Sequence, residues 1–176
     1  MSRYKIRRTT IMIKFTQRDK SGTNDITLEL AKAHMRVSGT ADDTLITSLI
    51  DQSRVIIEDY TDRSLVANEI AITISPRESI VLPLEPVTSN SIEVTDLTTS
   101  ESVEYTYDGL ELVLDEDIEN SLSIYYETYP NVPDGLKLGW LEVIAFLYDN
   151  RGDLANLQHF LLNNTNVALY RQKIWV

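Results

Sequence analysis

One segment constrains the fold more than any other, because its apolar residues recur at the spacing of a helix. Between Asp42 and Asp62, apolar side chains return every three or four residues and therefore share one broad helical face. That stripe consists of Leu45, Ile46, Leu49, Ile50, Ser53, Ile56, Ile57 and Tyr60. Asp42 and Asp43 suit the start of a helix, where polar caps and acidic side chains are favoured. The sequence thus predicts an amphipathic helix over residues 42–62.

Two further helices are predicted, one on each side of this segment. The helix over residues 27–36 has Thr27 as a suitable N-cap and is followed by Gly39, a residue suited to a left-handed conformation. The helix over residues 136–149 is apolar nearly all round, which is typical of an element buried in a core or against a neighbouring subunit. Six helical residues are therefore expected in a core or at a subunit interface: Leu45, Leu49, Ile56, Trp140, Ile144 and Phe146.

The chain between residues 66 and 129 has the alternating pattern of short β-strands. Ile70, Ile72 and Ile74 are separated by smaller or polar residues, which predicts a strand with one buried face. Asp108-Gly109 is a dipeptide typical of tight hairpins. We expect this region to form a small antiparallel sheet inserted between the helical segments.

These elements together predict an α+β fold that is mainly helical, with three to four helices and a small inserted antiparallel β-sheet. A chain of 176 residues suits one ordinary domain, which we place at residues 26–153. Residues 1–25 are predicted to form an extended basic N-terminal arm, with residues 11–15 as a candidate short strand. Residues 154–176 are predicted to form an extended C-terminal tail.

Charge is distributed unevenly along the chain, whose net charge is −11. Residues 1–20 contain seven Lys or Arg and one acid, whereas residues 21–158 contain 26 acids and seven Lys or Arg. Residues 159–176 contain Arg171 and Lys173 and no acid. An acidic body argues against a general nucleic-acid binder, because affinity for phosphates requires cations. It is compatible with a surface that serves solubility, or with one that lets DNA pass without holding it.

The sequence offers few side chains for catalysis. It contains no cysteine, which excludes disulfides, thiolate metal sites and cysteine nucleophiles. Its two histidines, His34 and His159, are expected to be structural or solvated, and no glycine-rich phosphate loop is present. No apolar run approaches the roughly 18 residues of a membrane span. We expect no catalytic, cofactor-binding or metal site.

One acidic run, Asp115 to Glu119, is the only candidate for metal or acid–base chemistry. Clustered carboxylates can bind hard cations. This run lacks the glycine and the spaced acids of a calcium-binding loop, and it lies between two strand-like segments. A solvated hairpin turn is therefore the favoured interpretation.

The C-terminus is unusually aromatic and lacks acids. Such a tail either folds back onto its own core or docks on another chain, since aromatic residues and Arg are enriched at binding hot spots. Both interpretations are compatible with the sequence. The residues that would dock are Tyr170, Arg171, Lys173, Ile174, Trp175 and Val176.

An ordered series of short motifs resembles the phage head–tail connector family, whose members are also described as adaptor or DNA-packaging proteins. Residues 26–37 resemble the opening helix of that family. Asp62 stands where the family usually has Gly at the end of the second helix. The other matching segments are residues 42–46, 56–65, 82–87 (Leu-Pro-Leu-Glu-Pro-Val), 129–137 and 148–151.

The resemblance implies a structural virion protein that forms a ring, with twelve copies expected, at the head–tail interface or neck. Its implied partners are the portal protein, a stopper or tail completion protein, further copies of itself, and double-stranded DNA that passes without sequence-specific binding. No cofactor and no membrane are implied, and the chain would be made in the cytoplasm of the host bacterium. The C-terminal segment would reach the portal, in agreement with the second interpretation of Tyr170 to Val176.

Two alternatives to this function are kept. The first is a metal- or carboxylate-dependent enzyme that uses the Asp115–Glu119 run. The second is a cytoplasmic regulatory binding module, which the acidic body would allow.

Overall fold

The structure is a computed structural model that describes residues 13–75, 79–115, 118–150, 155–168 and 170. By internal contacts the chain divides into two compact units. We call the first the sheet unit; it is described over residues 13–19, 69–75, 79–81, 88–115 and 118–127. The second, the helical unit, takes up the remaining described residues.

The helical unit is built from helices α1 to α5. Their bounds are Leu28–Met35 (α1), Asp43–Thr61 (α2), Asp134–Asp149 (α3), Leu157–Asn163 (α4) and Thr165–Ala168 (α5). The first three lie within two residues of the predicted limits, and α4 and α5 fall within the predicted C-terminal tail. Among the described residues, no helix is long and apolar enough to cross a membrane.

Local capping determines where α1 and α2 begin and end. Thr27 Oγ1 accepts a hydrogen bond from the backbone N–H of Leu30 at 3.2 Å, which makes Thr27 the N-cap of α1 as expected. The left-handed residue that ends α1 is Arg36, three positions before Gly39, which also has a positive φ. Asp62 adopts the left-handed conformation at the end of α2, so Asp fills a position that favours Gly.

The core of the helical unit lies between the faces of α1, α2 and α3. The stripe predicted from the sequence provides Ile46, Leu49, Ile50 and Ile57, all of them buried. Trp140 of α3 is fully buried, and its Nε1 donates a hydrogen bond to Ser53 Oγ at 2.8 Å. The polar position in the α2 stripe is therefore explained by the indole N–H that it satisfies.

The proline-punctuated connector is held against the end of α2. The backbone N–H of Ser64 donates to the carbonyl oxygen of Glu85 at 2.8 Å, and the N–H of Glu85 donates to the carbonyl oxygen of Asp62 at 2.9 Å. Leu82 and Leu84 are buried on either side of Pro83. The connector therefore belongs to the helical unit, although it lies between strands in the sequence.

The sheet unit contains two antiparallel arrangements of strands. The strands are Ile13–Lys20 (β1), Asn68–Ile74 (β2), Ser79–Val81 (β3), Glu93–Asp96 (β4), Tyr105–Tyr107 (β5), Glu111–Leu114 (β6) and Leu122–Thr128 (β7). One sheet has the order β1-β2-β7-β4 and the other has the order β3-β6-β5. β4 pairs antiparallel with β7, and β6 pairs antiparallel with both β3 and β5.

The fold class predicted from the sequence is confirmed, with more helix than strand. Three details differ from the prediction: the described residues form five helices rather than three to four, the strands form two sheets rather than one, and β1 comes from the segment predicted as an arm. β1 is an edge strand that is exposed along most of its length, so its sequence lacks the apolar alternation of a half-buried strand. Residues 1–12 of the predicted arm lie outside the described residues.

Candidate interaction surfaces

The C-terminal helices are packed tightly on α3. A Cβ atom placed on Gly139 would lie 2.7 Å from Val167 Cγ2 and 3.1 Å from the backbone carbon of Asn166. Val167 itself is fully buried. Only a residue without a side chain lets α5 approach α3 this closely, which gives Gly139 a structural role that its position in the sequence does not indicate.

The carboxylate of Glu142 also holds the segment between α4 and α5 in place. Glu142 of α3 accepts hydrogen bonds from Asn164 Nδ2 at 2.8 Å and from Asn166 Nδ2 at 3.2 Å. Asn164 is buried, and its own Oδ1 accepts from the backbone N–H of Val167 at 3.2 Å. Residues 163–166, within the segment predicted as an extended tail, thus form an ordered joint between α4 and α5.

Tyr170 is the one residue of the predicted docking tail that the structure describes. Its hydroxyl oxygen would lie 2.9 Å from a Cβ atom on Gly135, and its ring lies 6.0 Å from the Arg63 guanidinium carbon. The side chain is half-buried against the core of the helical unit. Residues 171–176 lie outside the described residues, so their docking stays a prediction.

The six residues expected in a core or at a subunit interface all belong to the core region of the helical unit. Leu49, Trp140 and Ile144 are buried there, whereas Leu45, Ile56 and Phe146 are partly buried and pack against the same cluster. Any contact that the last three make with a neighbouring subunit stays a prediction.

An open cleft of about 690 Å³ lies beside the C-terminal half of α3. Phe146 and Phe160 stack in its lining, with ring centroids 4.4 Å apart. The lining also includes His34 and His159, the two histidines of the chain, both of them exposed. Within the described part of the chain, no group of three His, Asp or Glu side chains is arranged to hold a metal. The cleft is thus an open surface lined in part by aromatic side chains.

The Asp115–Glu119 run is described only in part. Asp115 is exposed at the end of β6, where its Oδ1 accepts a hydrogen bond from Thr106 Oγ1 at 3.2 Å. Residues 116 and 117 lie outside the described residues. Asp115 is thus engaged across the strands of its own sheet.

One face of the four-stranded sheet is acidic, and sequence reasoning missed it. Alternate residues of β2 and β7, such as Ile70, Ile72, Ile124 and Tyr126, are fully buried. The residues between them point to the opposite side. We call this side the outer face and define it by Glu69 of β2, Glu93 of β4, and Tyr125 and Glu127 of β7.

The carboxylates of the outer face act together on Tyr125. Glu93 is the direct cross-strand partner of Tyr125 in the pairing of β4 with β7. Partial burial, followed by the negative charges of Glu69, Glu127 and Glu93, raises the pKa of the Tyr125 hydroxyl above its ordinary value. The three carboxylates therefore lie close enough to share one negative field. The sequence signal for this acidic face was the acid at an outward position in each of β2, β4 and β7. The signal could be recognised only once the order of the strands was known.

Comparison with known proteins now defines the class of this molecule. The sequence profile described as "Phage gp6-like head-tail connector protein" matches residues 25–120, more than half of the chain. The chain belongs to this family of head–tail connector proteins, which confirms the resemblance noted in the sequence. A search of curated proteins found no match.

Solved structures share the fold, and three of them have the following similarity. A chain of the virion of a native gene transfer agent particle has 14% identity and a TM-score of 0.63, over 91% of this chain and 97% of that chain. A chain in the neck of an empty gene transfer agent particle, computed with C6 symmetry, has 14% identity and a TM-score of 0.59, over 82% and 94%. A chain in the neck of the native particle, computed with C12 symmetry, has 13% identity and a TM-score of 0.52, over 80% and 93%.

Proposed function

We propose that this protein is a structural adaptor of a phage virion, present as a ring in the neck between the portal and the stopper or tail completion protein. The observation that carries the proposal is the family match over residues 25–120. It is supported by the shared fold of chains from particle necks, over four-fifths or more of this sequence. The ring would provide a passage for double-stranded DNA and would perform no chemistry.

The acidic body supports the DNA-passage part of this proposal. Strong phosphate binding would stall a sliding duplex, because each neutralised phosphate adds affinity. Residues 21–158 carry 26 acids against seven Lys or Arg. We expect the channel to be acidic or neutral, with few Lys or Arg side chains pointing inward.

Docking on the portal is assigned to the C-terminal residues. Tyr170, at the start of this segment, packs against the core of the helical unit beside Gly135. Beyond it, residues 171–176 provide two cations, Ile174 and Trp175 within a short stretch. Such a segment binds a partner with modest affinity, since ordering it costs conformational entropy, and several copies in a ring restore the affinity through effective concentration.

A truncation tests this assignment. Deletion of residues 171–176 should abolish co-sedimentation with purified portal rings, because it removes the docking side chains and leaves α5 in place. A longer deletion that begins at Thr165 would be uninformative, since it also removes buried Val167 and the Asn166 bond to Glu142.

The matched control is the substitution of Leu162, which is exposed on α4, by Ala. This variant should co-sediment with the portal as the intact protein does. Circular dichroism should show the same helix content for all three proteins. Normal portal binding by the protein that ends at Tyr170 would contradict the docking role of the tail.

A further inference from the structure

Among the four described residues that define it, the outer face of the four-stranded sheet presents three carboxylates and no cation. Among ion pairs between described residues, none involves Glu69, Glu93 or Glu127. Glu93 and Glu127 are exposed, and Glu69 and Tyr125 are half-buried. Like charges on adjacent strands are unfavourable, so a cationic occupant would relieve this repulsion.

The same chain contains a segment of opposite charge. Residues 1–12 include Arg3, Lys5, Arg7 and Arg8 and no acid. They continue into β1, which adds Lys14 and Arg18 at the edge of the sheet. Twelve residues reach as far as about 40 Å when fully extended.

The direction of β1 indicates whether residues 1–12 would bind the outer face of their own copy or that of another copy. Thr16 bonds the carbonyl of Ala71, and the N–H of Ser21 bonds the carbonyl of Ala67, so β1 runs opposite to β2. Ile13, where the described part of β1 begins, therefore lies near the Ile74 end of β2. Glu69 lies at the other end of β2, and an arm would have to reverse direction to reach the outer face of its own copy.

We propose that the outer face formed by Glu69, Glu93, Tyr125 and Glu127 binds the basic residues 1–12 of a neighbouring copy. Two complementary patches on different parts of one chain make a head-to-tail contact, the type that closes into a ring when the rotation between copies fits. The inference rests on the proposed function only in taking the assembly to be a ring of copies. It assigns to residues 1–12 a role in contact between subunits, separate from portal docking by the tail.

The absence of cysteine from the chain allows a direct test. One full-length variant carries Thr9→Cys in the basic segment, and another carries Ser123→Cys on β7, on the same side as Tyr125. In a mixture of the two, a thiol-specific linker can join the two introduced thiols only between copies. We expect this cross-link to form at high protein concentration in about 50 mM salt and to fall to background at about 500 mM, where screening is strong.

Two controls accompany the cross-link. A Gln52→Cys variant, exposed on α2 in the helical unit, replaces the outer-face variant and should give only background linkage to the Thr9→Cys variant. A single chain with both Thr9→Cys and Ser123→Cys, studied at high dilution, reports docking within one copy. Linkage within that monomer but not between copies would overturn the proposal, and so would equal linkage to Gln52→Cys or no linkage at all.

Charge reversal provides a second test. A face-reversed variant (Glu69→Lys, Glu93→Lys, Glu127→Lys) and an arm-reversed variant (Arg3→Glu, Lys5→Glu, Arg7→Glu, Arg8→Glu) should each lose the cross-link to the level of the Gln52→Cys control. An equal mixture of the two should regain it, because each arm then meets a face of opposite charge. Failure of the mixture to regain linkage would contradict the assignment. Portal co-sedimentation is measured separately, so a failure of the adaptor proposal is distinguishable from a failure of this one.

Discussion

At the scale of single residues, the least expected feature is the buried carboxylate of Glu58 in α2. The side chain is fully buried, and its Oε2 accepts a hydrogen bond from Arg54 Nη1 at 2.5 Å. Its other oxygen accepts from the backbone N–H of Leu65 at 2.9 Å and from Asn68 Nδ2 at 3.4 Å. A buried charge is tolerated only when it is paired and hydrogen-bonded, and these partners hold the chain that leaves α2 against the helix.

Substitution of Glu58 by Ala should be strongly destabilising. It leaves the guanidinium of Arg54 without its carboxylate and the N–H of Leu65 without an acceptor. Breaking a buried pair from one side costs about 3–5 kcal/mol. Urea denaturation of the whole chain in a Trp175→Phe background, followed by the fluorescence of buried Trp140, measures the loss.

The control for this variant is Glu104→Ala, which removes an exposed carboxylate from the sheet unit. Its effect should stay within about 0.5 kcal/mol, as for most surface substitutions. If Glu58→Ala changed the unfolding free energy as little as Glu104→Ala does, the pairing at Glu58 would contribute nothing to stability.

At the scale of elements, the close packing of α5 on α3 determines where the C-terminal segment starts. Gly139 allows the approach, Val167 fills the space, and Glu142 holds the two Asn side chains of the joint. The aromatic stack of Phe146 on Phe160 adds a second contact between α3 and α4. The short helices α4 and α5 depend on these contacts, because isolated helices of this length are not stable in water.

Substitution of Gly139 by Ala should loosen this packing. In an exposed helix the same change would stabilise by about 0.5–1 kcal/mol. Here the new methyl group meets Val167 and the backbone of Asn166, and overpacking of this kind costs about 1–3 kcal/mol. Hydrogen exchange of the amides at 157–168 should become faster, whereas that of α2 should be unchanged.

The control for this substitution is Ser48→Ala, which changes one exposed position of α2 and should leave exchange in α4 and α5 unaffected. Unchanged or slower exchange at 157–168 in Gly139→Ala would show that the packing of α5 on α3 does not depend on a glycine at position 139.

At the scale of the whole molecule, the separation of charge along the chain is the property with the clearest functional consequence. Net charge is −11, yet residues 1–20 hold seven of the sixteen Lys and Arg. An adaptor through which DNA slides gains from a body that does not hold phosphates. Within it, residues 1–12 are the part that we propose binds protein carboxylates.

The intact protein should bind double-stranded DNA weakly at physiological salt. Fluorescence anisotropy with a labelled duplex of arbitrary sequence measures this affinity. A variant that starts at Ile13 should bind no more weakly at about 150 mM salt, and any difference between the two should appear only near 50 mM, where screening is reduced. Tight, salt-resistant binding that disappears with residues 1–12 would instead assign the basic segment to DNA.

The sequence by itself determined the three main helices, the strand region and the family, because these depend on periodicities and short motifs that are local in the chain. The α2 stripe predicted most of the buried face of that helix, but not the burial of Glu58 and Thr61. Only the tertiary structure decided that β1 joins a sheet, that Gly139 makes room for Val167, and that Glu69, Glu93 and Glu127 share one face. The physical reason is that these features join residues distant in sequence, and no local pattern records which strands become neighbours or which helix approaches a glycine.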